Sequence, residues 1–254
     1  MSDDGELAGC GRKIRNGVVG SATEILEVTR SCRRKWLCAT CGYTASWREA
    51  AKLNGRLLGW TAQGGAVALL TLTQSHCPDD GLATLWSRLE AGWDALKRGS
   101  GWTADKQTFG VRGYVRVTEL VHNTATGWNV HLHVILLLDQ ELDEPRRHRL
   151  RASLAARFGR GVERSGGHAA GDCQDLRPMT PGTEERLANY LFKGTGFYRS
   201  TDGTRAPMGI LDELESTGEG LHLWHALTAA VSDDRRVQVI TSRRIDSLCG
   251  IPTC

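Results

Sequence analysis

Gly127 to Leu138, which reads GWNVHLHVILLL, is the stretch that decides how the rest of the chain folds. Side chains two residues apart on a β-strand point to the same face of a sheet, so a strand here places His131 and His133 side by side. The apolar run that follows His133 anchors the strand in a core and holds the pair in place. Two adjacent imidazoles can bind one divalent metal ion and leave coordination positions open for a substrate.

A second strand is predicted just before this one, from Tyr114 to His122, and the turn from Asn123 to Gly127 is short enough for an antiparallel hairpin. Pairing of the two strands can carry Glu119 to the face that displays His131 and His133. A carboxylate beside two histidines makes a three-ligand metal site.

The flanking sequence mixes strand and helix patterns, which favours an α+β fold. Ala66 to Thr73 is a short apolar run between turn residues, which predicts a strand. Leucines and tryptophans recur at helical spacing from Leu82 to Leu96, and a glycine-rich loop is expected after that helix. Further helices are predicted over Ser46–Leu58, over Asp143–Phe158, from Thr183 onwards and over Leu221–Val231, and further strands over Gln174–Pro178 and Arg236–Thr241.

Four of the eight cysteines precede residue 60. Cys38-Ala39-Thr40-Cys41 is a Cys-x-x-Cys knuckle, and Cys32 and Cys10 stand upstream of it. Two thiolates from a tight knuckle together with two others make a tetrahedral Zn²⁺ site. Four thiolates leave no open coordination position, so the predicted role of the zinc is structural. The other cysteines lack comparable spacing and are expected to be free thiols.

In their order along the chain, these motifs resemble those of the HUH endonucleases, and specifically those of plasmid rolling-circle replication initiators. Gly127–Leu138 resembles the His-hydrophobe-His motif of that family. Leu70-Thr71-Leu72-Thr73-Gln74-Ser75-His76 resembles its first motif, a strand ending in Thr-Leu-Thr. Tyr190, followed three residues later by Lys193, is similar to the third motif. Cys10-Gly11-Arg12 resembles the start of its N-terminal cysteine region.

The resemblance implies an antiparallel-sheet HUH endonuclease domain with helices on one side, preceded by a small zinc-binding N-terminal region. The corresponding division is a cysteine-rich region at residues 1–60, a nicking domain at 61–200 and a C-terminal extension at 201–254. The implied function is rolling-circle initiation, in which one DNA strand is nicked at an origin by metal-dependent transesterification. A tyrosine keeps the 5′ phosphate and frees a 3′-OH primer.

Carried over residue by residue, the resemblance makes Tyr190 the nucleophile. Lys193, one helical turn further on, would lower the pKa of the phenol or hold a phosphate. His131, His133 and Glu119 are the expected ligands of a catalytic Mg²⁺ or Mn²⁺.

The chain departs from the family pattern at two positions. Many relatives carry a further histidine two residues before the pair, where this chain has Asn129. Some carry a glutamate four residues before the tyrosine, thought to activate water for the terminating cleavage, where this chain has Arg186. Nicking is therefore better supported than the way in which the reaction ends. Tyr198 is the reserve nucleophile because it lies close downstream.

A net charge of +3 does not by itself identify a nucleic-acid partner. Arginines crowd between Arg146 and Arg164 and can form patches that neutralise phosphates, and we expect Arg147, Arg151 and Arg157 to contact DNA. The expected partners are single-stranded or extruded origin DNA and, as the resemblance implies, the host replication helicase and polymerase. No stretch approaches the roughly 20 apolar residues that span a bilayer and no secretory signal is found, so a cytoplasmic protein without membrane contact is expected.

Two alternatives stay open. A transposase or relaxase of the same superfamily uses the same nicking chemistry, although relaxases usually place the tyrosine near the N-terminus. The non-enzymatic alternative is a zinc-containing DNA-binding regulator that has lost catalysis. Such a regulator would be indifferent to the loss of Tyr190.

Overall fold

The computed structural model of the 254-residue chain describes residues 10–11, 13–16, 26–192, 200–232 and 236–251. Within these ranges the predicted α+β architecture is confirmed, and its centre is a six-stranded antiparallel sheet. The helices are α1 (Ala39–Ala62), α2 (Leu82–Lys97), α3 (Ser100–Phe109), α4 (Glu144–Arg164), α5 (Glu184–Phe192), α6 (Pro207–Thr217), α7 (Leu221–Val231) and α8 (Ile245–Leu248). The strands are β1 (Lys13–Asn16), β2 (Leu26–Thr29), β3 (Ala66–Leu72), β4 (Val111–Asn123), β5 (Gly127–Leu138), β6 (Asp175–Pro178), β7 (Thr204–Arg205) and β8 (Val239–Thr241).

β5 lies in the middle of the sheet and pairs with β3 on one edge and with β4 on the other. β6 extends the sheet beyond β3, β7 and β8 both pair with β4, and β1 and β2 form a separate hairpin. The register sets Glu119 opposite His131, and it sets Val117 and Thr71 opposite His133 from the two sides. Directly opposed residues share a face of the sheet, so these side chains lie on one face.

Helices cover both faces of the sheet, so the prediction of helices on one side is wrong. On the face that carries the histidines, α1 and α5 pack on a cluster that includes Val117 and Ile135. On the other face, α2, α4 and α7 pack on a cluster that includes Leu70 and Leu132. The physical reason lies in β5, where every residue from Val134 to Leu138 is buried. A strand without polar alternation needs an apolar partner on each face.

Three helices of the described residues were not expected from the sequence: α3, α6 and the four-residue α8. α3 occupies the segment predicted to be a glycine-rich loop, and its glycines mostly mark the ends of the helix. Gly99 precedes its first turn, and Gly110 follows its last turn with a φ of 68°, the left-handed conformation that ends many helices. α6 begins at Pro207 and ends in the same way at Gly218, with a φ of 76°.

The segments on either side of the predicted central domain take part in the same sheet and cores. α1 continues across residue 60 to Ala62, and β7 and β8 add to the edge of β4. Leu227 of α7 is fully buried in the cluster that α2 and α4 share. The division of the chain at residues 60 and 200 stays a prediction. Across the described residues, no helix combines the length and apolarity that crossing a bilayer requires.

A partly buried ion pair ties β4 to α2. The side chain of Arg116 is fully enclosed, and its two terminal nitrogens donate to the two carboxylate oxygens of Glu90 at 2.6 and 2.8 Å. The guanidinium also lies over the ring of Trp93, 5.6 Å from its centroid. Such a bidentate pair is strong when intact and costly when one partner is lost.

Replacement of Glu90 by alanine is expected to lower the free energy of unfolding by about 3 kcal/mol, because the charge of Arg116 then has no partner in the interior. Asp94→Ala on the same helix is the matched control. Asp94 is 61% exposed and 3.8 Å from Lys97, and such pairs contribute less than about 1 kcal/mol. Urea unfolding followed by circular dichroism measures both, and equal losses would contradict the assignment.

Candidate functional site

His133 is held between the two strands that flank β5. Its Nε2 lies 2.8 Å from Oε2 of Glu119 on β4, and its Nδ1 lies 3.3 Å from Oγ1 of Thr71 on β3. The histidine is buried and the carboxylate is partly buried, so the hydrogen bond between them is shielded from water. The structure therefore brings Glu119 and His133 together on the face to which the hairpin was expected to carry Glu119.

His131 stands beside His133, with 6.4 Å between the ring centroids. Burial lowers its pKa to about 4, and the positive charge that His133 and His76 can carry acts in the same direction, while Glu119 opposes it. The imidazole is thus neutral at physiological pH, which is the form that binds metals. Its Nδ1 is buried and makes no hydrogen bond. An orphaned buried nitrogen on a neutral imidazole fits a metal ligand or a polar group of a substrate.

His76 is a neighbour of His131 to which the sequence pattern assigned no role. It follows the end of β3 and is close enough to act on the pKa of His131, and its Nε2 is also buried without a hydrogen-bond partner. The backbone fixes this loop, since the Ser75 amide donates to the carbonyl of His168 at 2.8 Å. A histidine just beyond a strand that borders the site was the available signal in the sequence.

Gln174 fixes the end of β3 from the other side. Its side-chain oxygen accepts from the Thr73 amide at 2.8 Å, and its nitrogen donates to the carbonyls of Thr73 and Ala170 at 3.1 and 2.7 Å. The side chain is almost completely buried. The side-chain amide of Gln174 thus pairs with the N–H and carbonyl of Thr73 as a neighbouring strand would, and it positions the strand that carries Thr71.

Tyr190 reaches the histidine face from α5. Its ring centroid lies 6.1 Å from that of His133, with the rings at 69°, and 46% of the residue is exposed. Leu191 and neighbouring apolar residues of α5 pack with α1, which leaves the tyrosine beside the sheet. Glu184 is buried and accepts from Thr61 Oγ1 at 3.4 Å, so it anchors the start of α5 to α1.

Two residues predicted for catalysis, Lys193 and Tyr198, lie outside the residues that the structure describes. Arg186 lies on α5 four residues before Tyr190 and is exposed.

The two imidazoles and the carboxylate suit a divalent ion by their chemistry. Their candidate ligand atoms lie farther apart than the sulfur atoms of the cysteine cluster. Of the described residues, only the four cysteines form a group of three or more candidate ligands whose atoms all lie within 4.8 Å of one another. In this structure the Glu119 carboxylate is hydrogen-bonded to Nε2 of His133. That hydrogen bond would have to break for both groups to bind one ion through these atoms.

The predicted cysteine cluster is assembled from three places in the chain: Cys10, Cys32 and the knuckle Cys38–Cys41 at the start of α1. Sγ of Cys10 lies 3.4 Å from Sγ of both Cys38 and Cys41, and Sγ of Cys32 lies 3.6 Å from that of Cys41. The corners of a tetrahedron with Zn–S bonds of about 2.3 Å are about 3.8 Å apart, so four thiolates fit here with little movement. This cluster can bind zinc.

The thiols differ in acidity. Burial raises the pKa of Cys32 to about 12 and also raises that of Cys38. Burial acts on Cys41 too, but hydrogen bonds from Ser31, Cys10 and Cys32 outweigh it and lower its pKa to about 7. Binding of Zn²⁺ would displace the protons of these thiols. The charge of the metal would then offset the free-energy cost of burying the thiolates.

The arginines predicted to contact DNA have different surroundings. Arg157 forms an ion pair with Asp105 and also donates to the carbonyl of Leu96, so its guanidinium is engaged within the protein. Arg151 donates to the carbonyls of Gly171 and Gln174 at 3.1 and 2.9 Å. Arg147 is partly exposed on the first turn of α4.

Protein purified with zinc is expected to contain about one equivalent of the metal, because the four sulfurs are already placed for tetrahedral binding. Cys38→Ser should lose the zinc and lower the melting temperature. Cys173→Ser, at an exposed cysteine outside the cluster, is the matched control and should keep both. Atomic emission spectrometry measures the metal, and full zinc content in Cys38→Ser would contradict the assignment.

Residues 23–144, just under half of the chain, match the model of a family described as replication protein. The chain is similar to a neomycin resistance protein of Streptomyces cyanogenus, 27% identical over 131 residues that cover 42% of this chain and 30% of the relative. It is also similar to a protein rep of Streptomyces lividans, 26% identical over 144 residues that cover 46% of this chain and 32% of the relative. The chain thus spans about a third of the length of these curated relatives. No solved structure matches it.

The matched family segment contains three of the four cluster cysteines, Glu119 and the histidine pair, and it ends before Tyr190. These matches confirm the predicted resemblance of the chain to plasmid replication initiators.

Proposed function

We propose that this protein is a rolling-circle replication initiator that nicks one strand of origin DNA. The observation that carries the proposal is the placement of Tyr190, whose ring lies 6.1 Å from that of His133 on the sheet face shared with His131 and Glu119. A partly exposed phenol beside metal-binding groups is what strand transfer to a tyrosine requires. The match to the replication protein family supports the same function.

His131, His133 and Glu119 are the groups that would hold a divalent ion. When bound, such an ion would polarise the scissile phosphate and offset the charge that develops on it. Two imidazole nitrogens suit Mn²⁺ better than Mg²⁺, which prefers an all-oxygen shell. The neutral state of His131 leaves its lone pair available, and Thr71 holds the ring of His133 in place from the opposite side.

Tyr190 supplies the nucleophile. Its phenol loses a proton and its oxygen forms a bond to phosphorus, while the bond from phosphorus to the 3′ oxygen of the preceding nucleotide breaks. That oxygen takes up a proton and becomes a 3′-OH, and the 5′ phosphate stays on the tyrosine. The phosphodiester energy is retained, so a later transfer can rejoin the strand. Lys193, one helical turn further along the sequence, is proposed to assist by its positive charge.

The freed 3′-OH is a primer, so the host polymerase and a helicase that opens the duplex are the proposed partners. Arg147 and Arg151 on α4 are proposed to contact the DNA backbone, together with further basic side chains. The proposed substrate is single-stranded or extruded origin DNA, because an unpaired strand is flexible enough to bring one phosphodiester into line between Tyr190 on α5 and the groups on the sheet face.

The test uses labelled single-stranded oligonucleotides from the DNA that flanks the gene, incubated with the protein and Mn²⁺ and separated by denaturing electrophoresis. We expect a slowly migrating protein–DNA adduct that requires metal and disappears in Tyr190→Phe. Tyr114 packs against the apolar cluster on the opposite face of the sheet, so Tyr114→Phe is the matched control and should retain the adduct.

An adduct that survives in Tyr190→Phe and is lost in Tyr198→Phe would move the nucleophile to Tyr198. Tight binding without an adduct on any flanking sequence would favour the non-catalytic regulator. A transposase or relaxase would form the same adduct, but it would nick the ends of a mobile element or a transfer origin instead of a replication origin.

A further inference from the structure

A basic cavity of about 570 Å³ opens beside the cysteine cluster. Four cationic side chains line it, from both the loop before α1 and the helix itself: Arg30, Arg33, Lys35 and Arg48. Thr40 and Thr44 on the first turns of α1 also line it. The lining that the structure describes contains no carboxylate.

The charge of this cavity exceeds what the cysteines can neutralise. Four thiolates around Zn²⁺ carry two net negative charges, and four cations leave two positive charges in excess. The N-terminus of α1 adds to this field, because this 24-residue helix has no acidic residue in its first turn and no side-chain cap at Cys38. The cavity therefore favours a group with negative charge and several hydrogen-bond acceptors, such as a phosphate.

Two exposed aromatic residues stand next to the cavity on α1. Tyr43 and Trp47 are each 68% exposed, which is unusual for large apolar side chains. They are four residues apart and so lie one above the other on the helix, flanked by Thr44 and Arg48 of the cavity lining. A row of aromatic rings beside a row of cations is the arrangement that binds unpaired bases and their phosphates together.

We infer that the cavity and the aromatic pair form a binding surface for single-stranded DNA, separate from the sheet face that carries Tyr190. The cavity holds backbone phosphates, and Tyr43 and Trp47 stack on unpaired bases. The cysteine cluster serves this surface by fixing the loop that carries Arg30, Arg33 and Lys35. The choice of DNA as the ligand rests on the proposed function, whereas the single-stranded form follows from the exposed rings.

Arg33 allows a test that separates binding from folding. Its φ of 59° is in the left-handed region, where glycine is at least as stable as any other residue. Arg33→Gly should therefore keep the fold and the zinc while removing one cation. Binding of fluorescent oligothymidylate is measured by anisotropy over a range of KCl concentrations, with Tyr190→Phe as the parent so that no strand is cut.

We expect Arg33→Gly to weaken binding and to reduce the slope of log K against log salt by about 0.7, the value for one phosphate contact on a single strand. Arg98→Gly is the matched control, because Arg98 is exposed at the end of α2 and does not line the cavity. It should leave the slope unchanged.

Trp47→Ala tests the stacking. It should weaken binding of oligothymidylate about tenfold, because the stacking of one base on the indole ring is lost. Trp47→Phe should restore most of the affinity. Leu58→Ala, at an exposed apolar residue further along the same helix, is the matched control and should have no effect. Binding to a duplex of the same length should be insensitive to Trp47→Ala.

The inference is overturned if Arg33→Gly and Trp47→Ala bind oligothymidylate as the parent does, or if Trp47→Ala weakens duplex binding as much. Zinc content and melting temperature, measured on each variant, show whether the fold is kept. The two proposals fail in different ways. If the proposed function is wrong, the wild-type protein forms no covalent adduct, while its affinity for oligothymidylate stays intact.

Discussion

β5 is held along both edges by antiparallel partners, and the positions of the proposed catalytic groups depend on that pairing. Thr71 on β3 and Glu119 on β4 both contact the ring of His133, so neither strand can shift without breaking a hydrogen bond at the site. A slip of one residue would also turn His131 and His133 to the opposite face, into the leucine-rich core. Register, core and site are thus fixed by the same set of backbone hydrogen bonds.

The two faces of the sheet have different roles, one in the apolar core and one at the proposed site. One face packs on α2, α4 and α7 through a large apolar cluster, and the Arg116–Glu90 ion pair locks α2 to β4. The other face packs on α1 and α5 and leaves a polar region around His131. α1 links this region to the cysteine cluster, because the same helix begins at the cluster and ends against Glu184 of α5. A single long helix therefore connects the proposed strand-binding surface to the helix that carries Tyr190.

The sequence alone predicted the histidine pair, the hairpin and the place of Glu119, since all three follow from the two-residue period of strands. It also predicted the four cysteines, because thiolate spacing is a local signal. The second helical layer was missed, although the unbroken run Val134–Leu138 could have indicated a strand buried on both faces. α3 was missed because glycine is typical both of loops and of the two ends of a helix, and here the glycines at 99 and 110 flank a helix.

Other features depend on tertiary packing and had no local signal. Arg157 looks like its neighbours in sequence, yet it is engaged by Asp105, which lies far away along the chain. His76 lies beyond the end of β3, so its influence on the pKa of His131 depends on how that loop is folded. The cationic cavity likewise combines the loop before α1 with residues two turns into the helix.

The most direct test of the account is a crystal of the protein soaked in Mn²⁺, with data collected at a wavelength where manganese scatters anomalously. We expect one anomalous peak within bonding distance of His131, His133 and Glu119, with the Glu119–His133 hydrogen bond replaced by contacts to the ion. Absence of a peak there, or a peak bound elsewhere while that hydrogen bond stays intact, would contradict a metal-dependent site on this face of the sheet.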